Sequence, residues 1–161
     1  MTYVAEARPR RRKARHEPRR NALERRLSQS RVTRARVDSH VRLLLGRRNE
    51  AIGAALADKV PLATVSKIVG IRASDVKRLG GAYQDLDFSG FPEEWHIAVL
   101  SAAVRRLDRA LAEKQRSVHE LRADVLVGLE QGGMDLFRIA ALTALPAERI
   151  RELIRDPRPI Q

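Results

Sequence analysis

The first 20 residues concentrate the side chains that are best suited to hold a polyanion. Residues 1–36 contain 13 Lys and Arg against 3 Asp and Glu, whereas residues 37–161 contain 19 against 17, so most of the net charge of +12 lies near the start. Cations laid along phosphates release bound counterions. This basic arm predicts a nucleic-acid partner, although a solubilising tail with no defined partner would have the same composition. Its basic residues are Arg8, Arg10, Arg11, Arg12, Lys13, Arg15, Arg19 and Arg20.

The remaining reactive side chains do not form a catalytic or metal-binding pattern. The sequence has no cysteine, which excludes disulfides and thiol chemistry. It has no glycine-rich phosphate loop and no histidine pair at the spacing of a zinc site. Carboxylates such as Asp108 and Glu113 alternate with arginines at helical spacing, which is typical of a solvated helix face. We therefore predict that the protein is not an enzyme and uses no cofactor or metal. The four histidines are His16, His40, His96 and His119.

Neither a membrane span nor a secretion signal is visible in the sequence. No apolar stretch reaches the ~20 residues that cross a bilayer, and the Arg-rich start lacks the apolar segment of a signal peptide. These features predict a cytoplasmic protein. Arg outnumbers Lys by 27 to 5. A GC-rich bacterial genome would give this excess, and so would selection for bidentate phosphate contacts.

Apolar residues recur at intervals of three and four, which predicts helices. The candidate core consists of Leu, Val, Ile and Ala with few aromatic residues, so the predicted class is all-α. Residues 1–20 lack this period and are predicted to be disordered. Residues 21–57 follow it, either as one long helix kinked near Gly46 or as two helices that join between Val37 and Arg48, and the break is favoured. A continuous helix would offer a surface for dimerisation.

The segment Leu62–Gly81 has the pattern of two short helices joined by a tight turn. The predicted helices are Leu62–Val69 and Ala73–Leu79, with the small Ser66 where they cross. Gly70 occupies the turn, where φ is expected to be positive. The glycine pair after the second helix is expected to end it. Buried contacts between the two helices are expected from Val65, Val69, Ile71, Val76 and Leu79.

A connector, residues 82–91, leads to a second long helix. The apolar side chains around it are expected to pin it to the body; they are Tyr83, Leu86, Phe88 and Phe91. Pro92 and the glutamates after it favour a helix start near Phe91, and the glycine pair at 132 and 133 favours its end. Its apolar stripe comprises Trp95, Val99, Ala102, Leu107, Leu111, Val118, Leu121, Val125 and Leu129.

A second helix pair, Met134–Thr143 and Pro146–Arg155, repeats the first after 74 residues and without a gap. Register kept through helix, turn and helix indicates a structural repeat. The predicted divisions are therefore the arm (1–20), a long helix with its helix pair (21–81), the connector, a second such unit (92–156) and a tail (157–161). Aligned pairs include Ile52 with Leu126, Ala55 with Leu129, Val65 with Ile139, Val69 with Thr143, Gly70 with Ala144, and Val76 with Ile150.

The stretch AIGAALADKVPLATVSKIVGIRASDVKRL resembles the bacterial helix-turn-helix DNA-binding proteins, and the second copy resembles them less closely. In that family the second helix enters the major groove and its first exposed residues touch base edges. The resemblance implies binding to double-stranded DNA, in transcription regulation or in a phage- or plasmid-type DNA transaction, and association with the nucleoid. The residues implied for DNA contact are Lys67, Arg72, Ala73, Ser74, Lys77 and Arg78 in the first copy, and Arg149, Arg151 and Arg155 in the second.

Alternatives to this interpretation remain open at the level of the sequence. In one alternative, the two helix pairs read two half-sites of DNA about one turn apart. In the other, the second pair only packs or binds a partner, because Glu148 and Glu152 would repel phosphates. In another class of function, the long helices form a homodimer or dock a partner protein. In a third, the arm binds RNA or the ribosome and the body is a spacer.

Overall fold

The computed structural model describes residues 10–83 and 85–155, with side chains from residue 17 onward. Arg8 and the predicted tail, 157–161, lie outside the described residues. The described chain is mostly helical and contains no strand, so the predicted all-α class is confirmed. Its helices are α1 (Arg10–Ala57), α2 (Leu62–Val69), α3 (Ala73–Gly81), α4 (Glu93–Glu130), α5 (Leu136–Thr143) and α6 (Ala147–Arg155).

Helix α1 is continuous, and the favoured break between Val37 and Arg48 is wrong. Gly46 lies on the exposed side, so its weak helix propensity is outweighed by the buried residues on both sides of it. The predicted disorder is also wrong for residues 10–20, which belong to α1. Arginine is a good helix former, and extending a helix that is already anchored at Leu23 avoids the cost of nucleation, although Pro18 within this stretch removes one backbone hydrogen bond.

The described helices form two compact units. The central unit spans Arg36–Lys114, and the terminal unit draws on the chain up to Ala35 and from Gln115 onward. These units differ from the predicted divisions because each long helix contributes one part of its length to each unit. A helix of this length has more apolar surface than its own helix pair covers, so its two ends enter different cores.

The core of the central unit lies beneath α2 and α3. Its buried members come from α1, α2, α3, α4 and the loop before α2, and they are Ile52, Ala55, Val60, Val65, Val69, Val76 and Leu100. A smaller cluster joins α1 to α4 through Val41, Leu44, Leu107 and Ala110. The predicted interhelical contacts of Val65, Val69 and Val76 are confirmed by their burial.

The core of the terminal unit lies beneath α5 and α6. Its buried residues are Leu23, Leu27, Leu121, Val125, Met134, Ile139, Ile150 and Leu153. Arg26 on α1 makes a bidentate contact with Asp124 on α4: its Nη2 donates to Oδ1 at 2.9 Å and its Nε donates to Oδ2 at 3.2 Å. This contact fixes the two long helices beside each other within the unit.

The two halves of the described chain differ by one residue before their helix pairs, which the gapless alignment misses. At an offset of 74, burial agrees within the helix pairs, as for Val65 and Ile139, and just before them, as for Val60 and Met134. At the ends of the long helices the offset is 73: the Val60 amide donates to Ala55, whereas the Met134 amide donates to Gly128. The extra residue lies in the loop before α5, where it does not disturb the register of the helices. Ile52 and Ala55 therefore correspond to Val125 and Gly128, and not to Leu126 and Leu129.

Several apolar residues of the connector and of α4 are more exposed than predicted. Tyr83 and Leu86 are partly buried against Gly53, but Phe88 and Phe91 are 68% and 49% exposed. Trp95 and Leu111 on α4 are also exposed, at 42% and 40%. Only part of the connector, at Tyr83 and Leu86, is thus held by apolar packing.

Candidate nucleic-acid interface

The α2–α3 pair is held together by its turn and by a small apolar core. Gly70 has φ 69°, which confirms the predicted positive φ. Its amide donates to the Ser66 carbonyl at 3.0 Å. The Ser66 hydroxyl donates to the Ile71 carbonyl at 2.6 Å. Val65 and Val76 are fully buried between the helices. The angle between α2 and α3 is therefore set by both a backbone turn and packing.

Helix α3 ends two residues later than predicted, at Gly81 instead of Leu79. The reason lies in packing: a Cβ on Gly80 would come within 2.3 Å of Leu56 Cδ1. This glycine allows α3 to approach α1 closely and does not stop the helix. Close contact with the end of α1 holds the exposed face of α3 in a fixed position.

The polar side chains predicted to contact DNA in this pair are all exposed. Arg72 is the residue before α3, with extended φ and ψ of −62° and 145°, so it lies at the positive end of the helix dipole. Arg78 forms an ion pair with Asp75 at 3.2 Å. Among the described residues, Lys67, Arg72 and Lys77 form no ion pair. Their charges are therefore available to an external anion.

The α5–α6 pair keeps the same turn with different residues. Ala144, at the position of Gly70, has φ 52°. Thr143 is fully buried where the first pair has Val69, and its hydroxyl donates to the Ile139 carbonyl at 2.8 Å. Asp135 caps α5 by accepting from the Arg138 amide at 2.7 Å. The turn geometry is thus retained although the glycine is not.

The charge on α6 is largely neutralised within the helix. Arg149 pairs with Glu152 at 2.6 Å, and Arg151 pairs with Glu148 at 2.9 Å. Arg155 is exposed. All three predicted DNA-contact residues are at the surface, but two of them already have carboxylate partners. This helix presents less free positive charge than the exposed face of α2 and α3.

Glu24 on α1 forms an ion pair with Arg138 in the first turn of α5. Glu24 accepts from Arg138 at 2.8 Å and pairs with Arg20 at 3.3 Å. The Arg138 contact, together with that of Arg20, lowers the pKa of the Glu24 carboxyl. Of the predicted basic arm, Arg19 and Arg20 are exposed on α1. The backbone of the same helix includes the other basic residues of the arm from residue 10 onward, which are Arg10, Arg11, Arg12, Lys13 and Arg15.

A polar cluster in the central unit, in which the side chains of Asp58 and His96 are buried and Ser89 is exposed, was not predicted. His96 Nε2 lies 2.7 Å from Asp58 Oδ2, and the Ser89 amide donates to Asp58 Oδ1 at 2.7 Å. The Ser89 hydroxyl also donates to Asp58. These contacts with Ser89, and the one with His96, lower the pKa of Asp58 to about 2. The cluster ties the connector to the end of α1 and the start of α4.

This cluster does not have the arrangement of a hydrolytic triad. In such a triad the histidine lies between the nucleophile and the carboxylate, so that it can take the hydroxyl proton. Here Asp58 lies between Ser89 and His96, and the serine hydroxyl donates to the carboxylate. The sequence held only a weak signal, namely that His96 lies one turn before the buried Leu100 on the apolar face of α4.

Comparison of the chain with protein-family models, with curated proteins and with solved structures gave no match. In the part of the chain that the structure describes, no helix combines the length and the hydropathy that crossing a membrane requires.

Proposed function

We propose that the protein binds double-stranded DNA through the exposed face of α2 and α3. The observation that carries this proposal is a set of three basic side chains without an ion pair among the described residues: Lys67 on α2, Lys77 on α3 and Arg72 just before α3. The relative angle of the two helices is fixed by Gly70 and by buried valines. The resemblance to helix-turn-helix proteins concerns the same residues.

Each of these residues has a role that follows from its position. Arg72, just before α3, is placed to reach a guanine edge or a phosphate, and Lys77, five residues further on, is also exposed. Lys67 on α2 contacts a phosphate. Ser74 and Arg78 flank them, and Arg78 exchanges its partner Asp75 for the DNA backbone. The α3 dipole adds a further favourable interaction with phosphate.

The α5–α6 pair is assigned a smaller role in binding. Its ion pairs within α6 reduce the charge that it offers to phosphates, and Glu148 and Glu152 repel them. The basic start of α1 adds affinity that does not depend on sequence, because contacts to phosphate carry no base information.

The test is an electrophoretic shift on random duplex DNA over a series of salt concentrations. Replacing Lys67, Arg72 and Lys77 by Ala should weaken binding, and should reduce the slope of log K against log salt by about 0.9 for each lost phosphate contact. The matched control replaces Arg149, Arg151 and Arg155 by Ala, which removes the same charge from α6 and should have the smaller effect.

Two outcomes would contradict the proposal. If the α2–α3 variant binds as tightly as the parent while deletion of residues 1–20 abolishes binding, the arm alone is responsible. If the parent prefers structured RNA to duplex DNA in competition, the function lies in RNA binding.

A further inference from the structure

A concave surface in the central unit lies between α1 and α4. It encloses a cavity of about 310 Å³. Helix α1 contributes Leu44, Arg47 and Ala51, which share one face at intervals of three and four. Helix α4 contributes Val99, Ala102, Ala103 and Arg106 at the same kind of interval. We call this surface the α1–α4 cavity.

The lining of the cavity combines an apolar floor with two cations. Alanines on both helices leave the space between them unfilled, while Leu44 and Val99 give it apolar walls. Arg47 and Arg106 are exposed at its border, one from each helix. No carboxylate lines the cavity, and within the described chain neither arginine forms an ion pair. Two guanidinium groups beside an apolar space select for an anion that carries an apolar body.

The size and charge of the cavity distinguish between possible occupants. A volume of about 310 Å³ lies at the small end of the range for small-molecule sites. A second copy of this chain, placed on a two-fold axis through the cavity, would bring Arg47 and Arg106 of both copies together, and like charges would oppose it. From the lining we infer that the α1–α4 cavity binds a small aliphatic carboxylate, with its chain over Ala102 and Ala103 and its carboxylate at Arg47 and Arg106.

The cavity adjoins the core that supports α2 and α3. Leu100 and Val104, between the lining residues of α4, pack in that core, and Ala51 contacts both the core and the cavity. A ligand that separates α1 from α4 would therefore change the support of α3, which makes it an effector of DNA binding. This coupling rests on the proposed function, whereas binding of the carboxylate does not.

Binding is measured on the full chain without DNA, by the fluorescence of Trp95. This is the sole tryptophan, and it lies one turn before Val99, stacked on Phe91 with ring centroids 4.2 Å apart. The probe is decanoate, below the concentration at which it forms micelles. A saturable fluorescence change is expected, together with a much weaker response to decanol, which lacks the charge, and to acetate, which lacks the chain.

Three variants test the assignment of residues. Arg47→Gln with Arg106→Gln should weaken decanoate binding by about tenfold or more, as expected for lost hydrogen bonds to a charged group. The control, Arg42→Gln with Arg105→Gln, removes the same charge from outside the cavity and should leave binding unchanged. Ala102→Leu fills the cavity and should abolish binding, and circular dichroism shows whether each variant keeps its helices.

Four results would overturn the inference: no saturable response to decanoate, equal binding of decanol, equal binding by the Arg47 and Arg106 double variant, or a dimer in sedimentation that Ala102→Leu converts to a monomer. The last result would show that a second copy covers the cavity. Decanoate binding without any effect on DNA affinity would reject only the coupling. Loss of the proposed DNA binding would leave the fluorescence result intact.

Discussion

Gly70 and Ala144 lie 74 residues apart and have the same left-handed backbone conformation, with φ of 69° and 52°. Glycine enters this region without steric cost, whereas the Cβ of Ala144 makes the same conformation unfavourable. An L-residue in this conformation costs about 1–2 kcal/mol. The packing of Ile139 and Ile150 in the second pair is therefore strong enough to hold an alanine in a strained turn.

Replacing Ala144 by Gly should raise the free energy of unfolding by about 1 kcal/mol, because the strain is removed. The reciprocal change, Gly70→Ala, should lower it by a similar amount. A Cβ at Gly70 would meet no atom within 4 Å, so its cost would come from the backbone alone. Urea denaturation of the two variants checks both signs. A destabilised Ala144→Gly variant would show that this turn is not strained.

Two glycines of α1 should respond in opposite directions to the same substitution. Gly46 is exposed, and a Cβ there would meet nothing within 4 Å. Gly46→Ala should therefore stabilise the protein by about 1 kcal/mol through helix propensity. Gly53 has the same propensity, but its Cβ would lie 2.5 Å from Tyr83 Cβ, so Gly53→Ala should destabilise by about 1–3 kcal/mol. Equal effects of the two changes in urea denaturation would contradict this assignment.

Local patterns in the sequence predicted the helices and their turns better than they predicted the contacts between helices. The bounds of α2 and the positive φ of Gly70 follow from neighbouring residues, and both are confirmed. The role of Gly80 depends on Leu56, which lies on another helix, so the sequence suggested a helix stop where the structure has a close contact. The residue pattern along one helix does not predict which side chains of other helices pack against it.

The candidate site shows the same limit. The exposed positions of Arg72 and Lys77 could be derived from helical spacing, since Val76 and Leu79 define the buried side. The partners of Arg149 and Arg151 lie three residues away and were also visible as spacing. By contrast, Asp58 and His96 are 38 residues apart and meet only because the connector turns the chain back. The spacing of residues along a helix does not predict a contact between residues so far apart in the chain.

Asp135 should make a measurable contribution to the terminal unit. Its side chain accepts from the Arg138 amide at 2.7 Å, whereas the start of α2 has Pro61 and no side-chain cap. Asp135→Ala should lower the free energy of unfolding by about 1 kcal/mol, and Asp135→Asn should retain most of it because an amide oxygen also accepts. Urea denaturation should show this order. An Asn variant as unstable as the Ala variant would indicate that the charge matters more than the cap.

The Asp58 cluster should make stability depend on pH in the acid range. The pKa of Asp58 is about 2 in the folded protein, held low by Ser89 and then by His96, against an ordinary value of 3.8. Since the folded value is the lower one, the contribution is complete above about pH 4 and is lost as the pH falls towards 2. Asp58→Asn should be less stable than the parent at pH 6, and the difference between the two should shrink between pH 4 and pH 2. Thermal denaturation at several pH values measures this difference, and Asp38→Asn, at an exposed carboxylate paired with Lys114, is the control. A difference between Asp58→Asn and the parent that stays constant down to pH 2 would mean that the carboxylate is not stabilised by its neighbours.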